Sequence, residues 1–395
     1  GSVLPFKVNN FVAEQVIDWE DPKDPIFILN FPQREMLLPG HYEQMDRALT
    51  SEDAVEIERT AHEIRLQLNP HPAGQLDLNV PKLADGTKLP GMQHKYSQTV
   101  LCFPSQGQTC HSYCTFCFRW PQFVGMKGLK FAMKEPELLV RYLTEHPEVT
   151  DVLFTGGDPM VMSASVFQQY IDTLLNADLP HLETIRIGSK SLAYWPYKFG
   201  TDPEGEAMLE LFRRVTRSGR HLAFMAHFNH PAELRPPAVR EAIARIQSTG
   251  AVIRTQSPLL RHINDSPDVW ASMWRQQVAL GMVPYYMFAT RDTGAQHYFG
   301  VPLVTGNGIY QSALRQVSGI GRTVRGLSMS ATPGKIQVLG PTVIQGETVL
   351  ALRMLQARKE EWQHRLFFAR YDEQALWIDD LSPAFGEKQF FYDES

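Results

Sequence analysis

Residues 109–120 read TCHSYCTFCFRW, and hold three of the chain's four cysteines, Cys110, Cys114 and Cys117. Arg119 lies two residues beyond the last of them. Three thiols in one short loop suit metal chemistry, because thiolates are strong ligands and a single loop can aim them together. A zinc ion would want a fourth ligand, which Cys102 or His111 could supply. A four-iron cluster held by three cysteines keeps one iron open for an outside ligand. Four cysteines in 395 residues do not make a disulfide framework. A reducing, cytosolic setting is therefore expected.

Other polar residues recur at one kind of place. Short apolar, β-branched runs occur at 99–104, 151–158, 184–189, 221–230, 252–257 and 283–290. After or at their ends stand the cysteine loop, Gly156-Gly157-Asp158, Ser189, His227 and Asn229, Gln256 and Ser257, then Thr290 and Arg291. Stretches with helical spacing separate the runs, at 136–146, 165–175, 206–217, 237–247 and 269–280. Strand, helix, strand, repeated, means right-handed βαβ units and a parallel sheet. Six such units fit an open doubly wound sheet or an incomplete barrel. Both place chemistry at the C-terminal ends of the strands, where these polar residues fall.

The flanks read differently. Residues 1–98 lack the strand rhythm and show one clear helix, 51–70, with Ser51 as its N-cap. From about 300 onward a helix is expected at 306–318, followed by the strand-like KIQVLG and ETVLALRM. Three parts result: a mainly helical region (1–98), a strand–helix body (99–299) and a C-terminal extension (300–395). A net charge of -5 gives no reason to expect nucleic acid or an anionic membrane surface as partner. No apolar run is long enough to span a bilayer, and no signal peptide is expected.

The cysteine spacing at the end of the first strand run resembles the radical S-adenosylmethionine superfamily. HKYSQTVLCF, CTFCFR, FTGGDPMVM, IRIGSKS, HFNHPAEL, TQSPLLRHIND, VPYYMF and TPGKIQV resemble, in order, segments of the lysine 2,3-aminomutase family. So does DWEDPKDPIFILNFPQ near the N-terminus, and the match runs over roughly residues 18 to 350. The resemblance implies an α/β fold, a partial (β/α)6 barrel with an N-terminal helical region and a C-terminal α+β extension. It also implies a reaction. Cys110, Cys114 and Cys117 would bind a [4Fe-4S] cluster whose open iron is chelated by S-adenosyl-L-methionine. One electron, from a donor such as flavodoxin or ferredoxin, would release a 5′-deoxyadenosyl radical. That radical would abstract hydrogen from the β-carbon of an amino acid, and the amino group would migrate from the α- to the β-carbon through an imine with pyridoxal 5′-phosphate. The cofactors carry the chemistry, and the protein excludes water and fixes distances.

On the same resemblance Gly156, Gly157 and Asp158 hold the methionyl amine, and Arg119 clamps the substrate carboxylate. Lys335 carries pyridoxal phosphate, and Lys95 and Tyr96 help to hold its phosphate. Ser189, His227, Asn229, Gln256 and Ser257 make nucleoside or cofactor contacts. A homo-oligomer is expected, with oligomerisation elements in the C-terminal extension (300–395). The chain also departs from the lysine-acting members. Their glycine run before the lysine is the shorter SATPG here, and a second phosphate-binding arginine falls at Thr99. One aspartate that reads the lysine ε-amine falls on Arg291, and the other falls near Ser328 to Ser330. A guanidinium at 291 favours a substrate with a distal carboxylate, such as glutamate. Asp292, one residue on, would restore a carboxylate if the register slipped. Two other classes compete: a family member without pyridoxal phosphate that abstracts hydrogen for epimerisation or dehydration, and a zinc-binding scaffold.

Overall fold

The computed structural model describes residues 2–68, 79–125, 131–291 and 293–393. One sheet of eleven strands runs through it, and the strands stand side by side in chain order. β1 (Met92–Tyr96) pairs antiparallel with β2 (Thr99–Cys102). From β2 the sheet is parallel through β3 (Asp151–Phe154), β4 (Thr184–Ser189), β5 (His221–His227), β6 (Val252–Pro258), β7 (Val283–Phe288) and β8 (Leu327–Ser330). β9 (Gly334–Ile344), β10 (Glu347–Ala357) and β11 (Leu366–Arg370) then turn back and forth, antiparallel. The fold is α/β, an open, partial barrel of the expected kind. The six expected strand runs are β2 to β7, in the expected order.

Helices follow the parallel strands. They are α4 (Pro136–Glu145), α5 (Ala164–Asn176), α6 (Gly205–Arg217), α7 (Pro237–Gln247), α8 (Pro267–Ala279) and α9 (Leu303–Arg315), numbered after α1 to α3 of the N-terminal region. Each buries one stripe against the sheet. On α6 the buried residues are Met208, Leu209, Leu211, Phe212 and Val215, the spacing of a single helical face. Phe224 of β5 receives Phe212 at 6.2 Å and Phe199 at 5.6 Å between ring centroids. Removing a ring as buried as Phe224 would cost about 3–5 kcal/mol, lost transfer energy and cavity together.

The flanks differ from expectation in four places. The N-terminal region holds α1 (Pro25–Asn30) and α2 (Pro39–Thr50) besides α3 (Ala54–Leu68). α2 buries His41, Met45 and Ala48. Ser51 does not cap α3; it closes α2, its hydroxyl donating to the Ala48 carbonyl at 2.8 Å. The α3 cap is Asp53, whose carboxylate accepts from the Val55 amide at 2.9 Å. β1 lies in the region expected to lack strands. Its sequence, MQHKY, has no apolar run, although Met92 is buried and the other four residues are partly so. The sheet also runs unbroken past residues 98 and 300. Its curl brings β1 to the far end of the parallel run, where the Lys95 amine reaches the Ala331 carbonyl after β8. Among the described residues no helix is long and apolar enough to cross a membrane.

Candidate active site

The cysteine loop sits over the C-terminal end of β2 and packs on the turn after β3. That packing explains Gly156-Gly157. A Cβ on Gly157 would lie 2.3 Å from the Thr109 carbonyl oxygen. Gly156 has φ 153°, and a Cβ there would lie 2.6 Å from Gln108 Nε2. The backbone closes the contact: the Asp158 amide donates to the Thr109 carbonyl at 2.7 Å, and the Gly157 amide donates to that of Gly107 at 3.0 Å. The buried Asp158 carboxylate then joins the next strand end. It accepts from the Met160 amide (2.9 Å), the Ser189 hydroxyl (2.8 Å) and the Lys190 amide (2.9 Å).

Lys190 carries the network onward. Its amine donates to Glu233 at 2.6 Å and to Asn229 Oδ1 at 2.8 Å, and lies 4.4 Å from the centre of the Tyr194 ring. Asn229 donates to the Ser257 hydroxyl at 3.0 Å. Ser189, Asn229 and Ser257 are thus joined across β4, β5 and β6, as expected of one site. Gln256 stands opposite His227 across the β5–β6 ladder. The ring of His227 lies 5.7 Å from Phe116 of the cysteine loop, and its buried Nε2 has no hydrogen-bond partner among the described residues. Burial, with Lys190 adding to it, holds this imidazole well below its usual range, so it is neutral. Lys190, Glu233 and Tyr194 did not stand out in the sequence. Lys190 lies inside the IRIGSKS segment, but nothing local announces its buried carboxylate partner 43 residues away.

The cysteines divide as their positions suggest. Cys102 is buried on β2 and turned to the Met133 sulfur at 3.7 Å, away from the loop. Cys114 donates to the Tyr194 hydroxyl at 3.5 Å, which ties the loop to the Lys190 network. Burial raises the Cys110 and Cys117 thiols and pushes Cys114 up to about 12. Buried thiols of this kind ionise only when a cationic partner compensates them. Among the described residues no three His, Cys, Asp or Glu side chains converge on the volume of one ion. A structural zinc site needs four ligands on one point. A four-iron cube takes one thiolate at each of three corners, which three cysteines of one loop can provide without a common point.

Arg119 is 5% exposed and lies over the Phe103 ring at 4.7 Å. One nitrogen donates to Gln108 (2.8 Å) and Gln122 (2.7 Å), while Nε has no hydrogen-bond partner among the described residues. Burial lowers it to about 10, opposed by Cys117 and Cys110. A buried guanidinium held by two neutral amides, with a donor left over, suits an incoming carboxylate.

Lys335 lies inside the curl of the sheet. Its amine sits 4.2 Å from the ring centre of Tyr286, 5.7 Å from Phe288 and 5.8 Å from Tyr96. Burial, with Arg186 and Arg325 adding to it, lowers the amine to about 7. Lys95 is also pushed down to about 7, by burial and then by Arg358 and Lys335. Tyr96 lies 5.4 Å from the Lys95 amine, and burial raises its hydroxyl. Lys95, Tyr96 and Lys335 therefore come together. Thr99 is not among them; its hydroxyl donates to Asp151 at 3.1 Å, beside the Arg186–Asp151 ion pair. Arg325 and Arg358 join this pocket without any signal in the sequence.

Arg291, just beyond β7, pairs with Asp379 of the C-terminal extension at 2.8 Å and stacks on Trp377 at 5.1 Å. Asp292 lies outside the described residues. Ser328 is buried and donates to the Arg325 carbonyl, and Ser330 is exposed, so neither puts a carboxylate near Lys335.

No family model matches the chain. Over 97% of its length the chain is 29% identical to a protein of Aquifex aeolicus provisionally named L-lysine 2,3-aminomutase, of which it covers 89%. The L-lysine 2,3-aminomutase of Clostridium subterminale is 27% identical over 76% of this chain and 61% of its own. That of Escherichia coli is 30% identical over 53% and 57%. A radical SAM methyltransferase from Sphaerobacter thermophilus superposes with a TM-score of 0.38 at 16% identity, over 62% of this chain and 71% of that one, which is too remote to bear on the site. Along nearly its whole length the chain is therefore similar to lysine 2,3-aminomutases, a likeness carried on a partial barrel with a three-cysteine loop at the strand ends.

Proposed function

We propose that the chain is a 2,3-aminomutase that uses pyridoxal phosphate on Lys335 and acts on an acidic amino acid such as glutamate. The observation that carries the cofactor is the Lys335 pocket. An amine held near 7 among three aromatic rings is neutral enough at physiological pH to attack an aldehyde. The cations around it need an anion.

When bound, the iron–sulfur cluster and S-adenosyl-L-methionine supply a hydrogen-abstracting radical, and pyridoxal phosphate supplies the conjugated system on which an amino group can move. Cys110, Cys114 and Cys117 would hold the cluster. Gly156, Gly157, Asp158, Ser189, His227, Asn229, Gln256 and Ser257 would line the nucleoside and methionyl side. Arg119 would grip the substrate α-carboxylate with two parallel donors and fix the α- and β-carbons. Tyr96, Tyr286 and Phe288 exclude water from the amine of Lys335.

Arg291 would read a distal carboxylate, with Asp379 as the partner it gives up. A cytosolic homo-oligomer served by a small one-electron protein such as flavodoxin or ferredoxin completes the proposal.

The test is borohydride reduction of the anaerobically purified, pyridoxal phosphate-loaded protein, followed by peptide mapping. Label on the peptide containing Lys335, absent in Lys335→Ala, supports the proposal. Cleavage of S-adenosyl-L-methionine in protein that takes no pyridoxal phosphate would favour a cofactor-free epimerase or dehydratase.

A further inference from the structure

Arg358 follows β10, far in sequence from every motif described above. Its side chain is half-buried and carefully held. Nε donates to the Thr332 carbonyl at 2.7 Å, and one terminal nitrogen donates to Asn79 Oδ1. Its own amide donates to the Pro333 carbonyl at 3.1 Å. The Lys95 amine donates to the Ala331 carbonyl. Two cations therefore grip the turn 331–334, immediately before Lys335.

The turn gives them only neutral carbonyls. The charges acting on Lys95 are those of Arg358 and Lys335, and those acting on Lys335 are those of Arg186 and Arg325. Besides Lys95, Arg358 faces Tyr96, itself held protonated by burial. Among the described residues no carboxylate pairs with Lys95, Lys335 or Arg358. Arg186 differs, since Asp151 neutralises it. Like charges gathered in a partly buried place, with nothing opposite, are costly until an anion arrives. The second terminal nitrogen of Arg358 makes no hydrogen bond among the described residues, so the guanidinium keeps a donor in hand. A guanidinium with its other edge fixed is preorganised for phosphate oxygens, which a flexible lysine alone is not.

We infer that Arg358 is the anion clamp of this pocket and that, with Lys95, it takes the phosphate of the cofactor carried on Lys335. The inference rests on the proposal that Lys335 carries pyridoxal phosphate. It adds a residue after β10 to a pocket whose Lys335 and Lys95 the sequence motifs supply.

Pyridoxal, which has the aldehyde but lacks the phosphate, separates the two ideas. Pyridoxal phosphate and pyridoxal are each titrated against the native protein, Arg358→Ala and Arg358→Lys, and bound ligand is read by absorbance and borohydride trapping. The native protein should bind pyridoxal phosphate much more tightly than pyridoxal, and inorganic phosphate should compete with the former. Arg358→Ala should weaken pyridoxal phosphate about 10- to 100-fold, the loss of a charged hydrogen bond, and leave pyridoxal unchanged. Arg358→Lys should fall between. Unchanged pyridoxal phosphate affinity in Arg358→Ala overturns the inference while Lys335 keeps its role. So does an equal loss for both ligands, because the arginine would then only support the turn. If the native protein traps neither ligand on Lys335, the underlying proposal fails and takes the clamp with it.

Discussion

The cysteine loop and the Lys335 pocket call for guests of opposite charge. At the loop, burial keeps three thiols protonated, so the site is made whole by a cationic guest. Inside the curl, burial and neighbouring cations drive two amines down to about 7, so the site is made whole by an anionic one. The two are built differently as well. The loop comes from consecutive residues between β2 and α4. The pocket is assembled from β1, β4, β7, the β8–β9 turn and the residue after β10. A guest whose ligands are local can be read from spacing. A guest whose ligands arrive from five places needs the folded chain.

Four changes would break or sharpen that contrast. The largest effect belongs to the loop. Cys114→Ala should abolish the cluster, seen as loss of bound iron, sulfide and visible absorbance, and with it all turnover. Cys102→Ala should leave the cluster in place, because that thiol faces Met133. Reversed outcomes would mean that the ligand set is wrong.

Arg119→Lys comes next. It keeps the charge but loses the paired donors, so kcat/KM should fall about 10- to 100-fold with the cluster spectrum unchanged.

The pocket makes a prediction in pH. Lys335 and Lys95 fall from the usual 10.5 to about 7 in the folded protein. Between those values the unfolded chain binds more protons than the folded one, so stability must rise with pH. The buried cysteines act in the opposite sense, but only above their ordinary value of 9.0. Urea denaturation of the cofactor-free protein should therefore show stability increasing from pH 7 to pH 9. Lys335→Met should flatten that slope. A flat native profile would mean that the amines are not held neutral.

The smallest effect is at the surface. Asp379 is exposed and its pair with Arg291 is worth no more than about 1 kcal/mol. Asp379→Asn should thus lower KM for glutamate only a few-fold. A rise in KM would show that Asp379 supports the site.

The middle of the sheet was legible because parallel strands buried on both faces become continuous apolar runs. The fully apolar interior of β5 is of this kind, while β4 shows the alternation of Ile185 and Ile187 about Arg186. β1 was not legible, since MQHKY carries no apolar run and its Lys95 and Tyr96 are buried by the pocket they face. α2 was missed although His41, Met45 and Ala48 carry a helical spacing, because proline-rich sequence surrounds it. The cysteines, Arg119 and Lys335 stood out through local motifs. Lys190, Arg358 and Asp379 did not, because each acquires meaning only from a partner that folding brings in.

The central claim is that the two sites act on one substrate, hydrogen leaving the β-carbon while the amino group moves. The direct test uses glutamate deuterated at the β-carbon, incubated anaerobically with the protein, pyridoxal phosphate, S-adenosyl-L-methionine and a reductant. Mass spectrometry and NMR should find deuterium in 5′-deoxyadenosine or recovered S-adenosyl-L-methionine, together with β-glutamate. Cleavage of S-adenosyl-L-methionine without deuterium transfer, or with the amino group still on the α-carbon, would contradict the account.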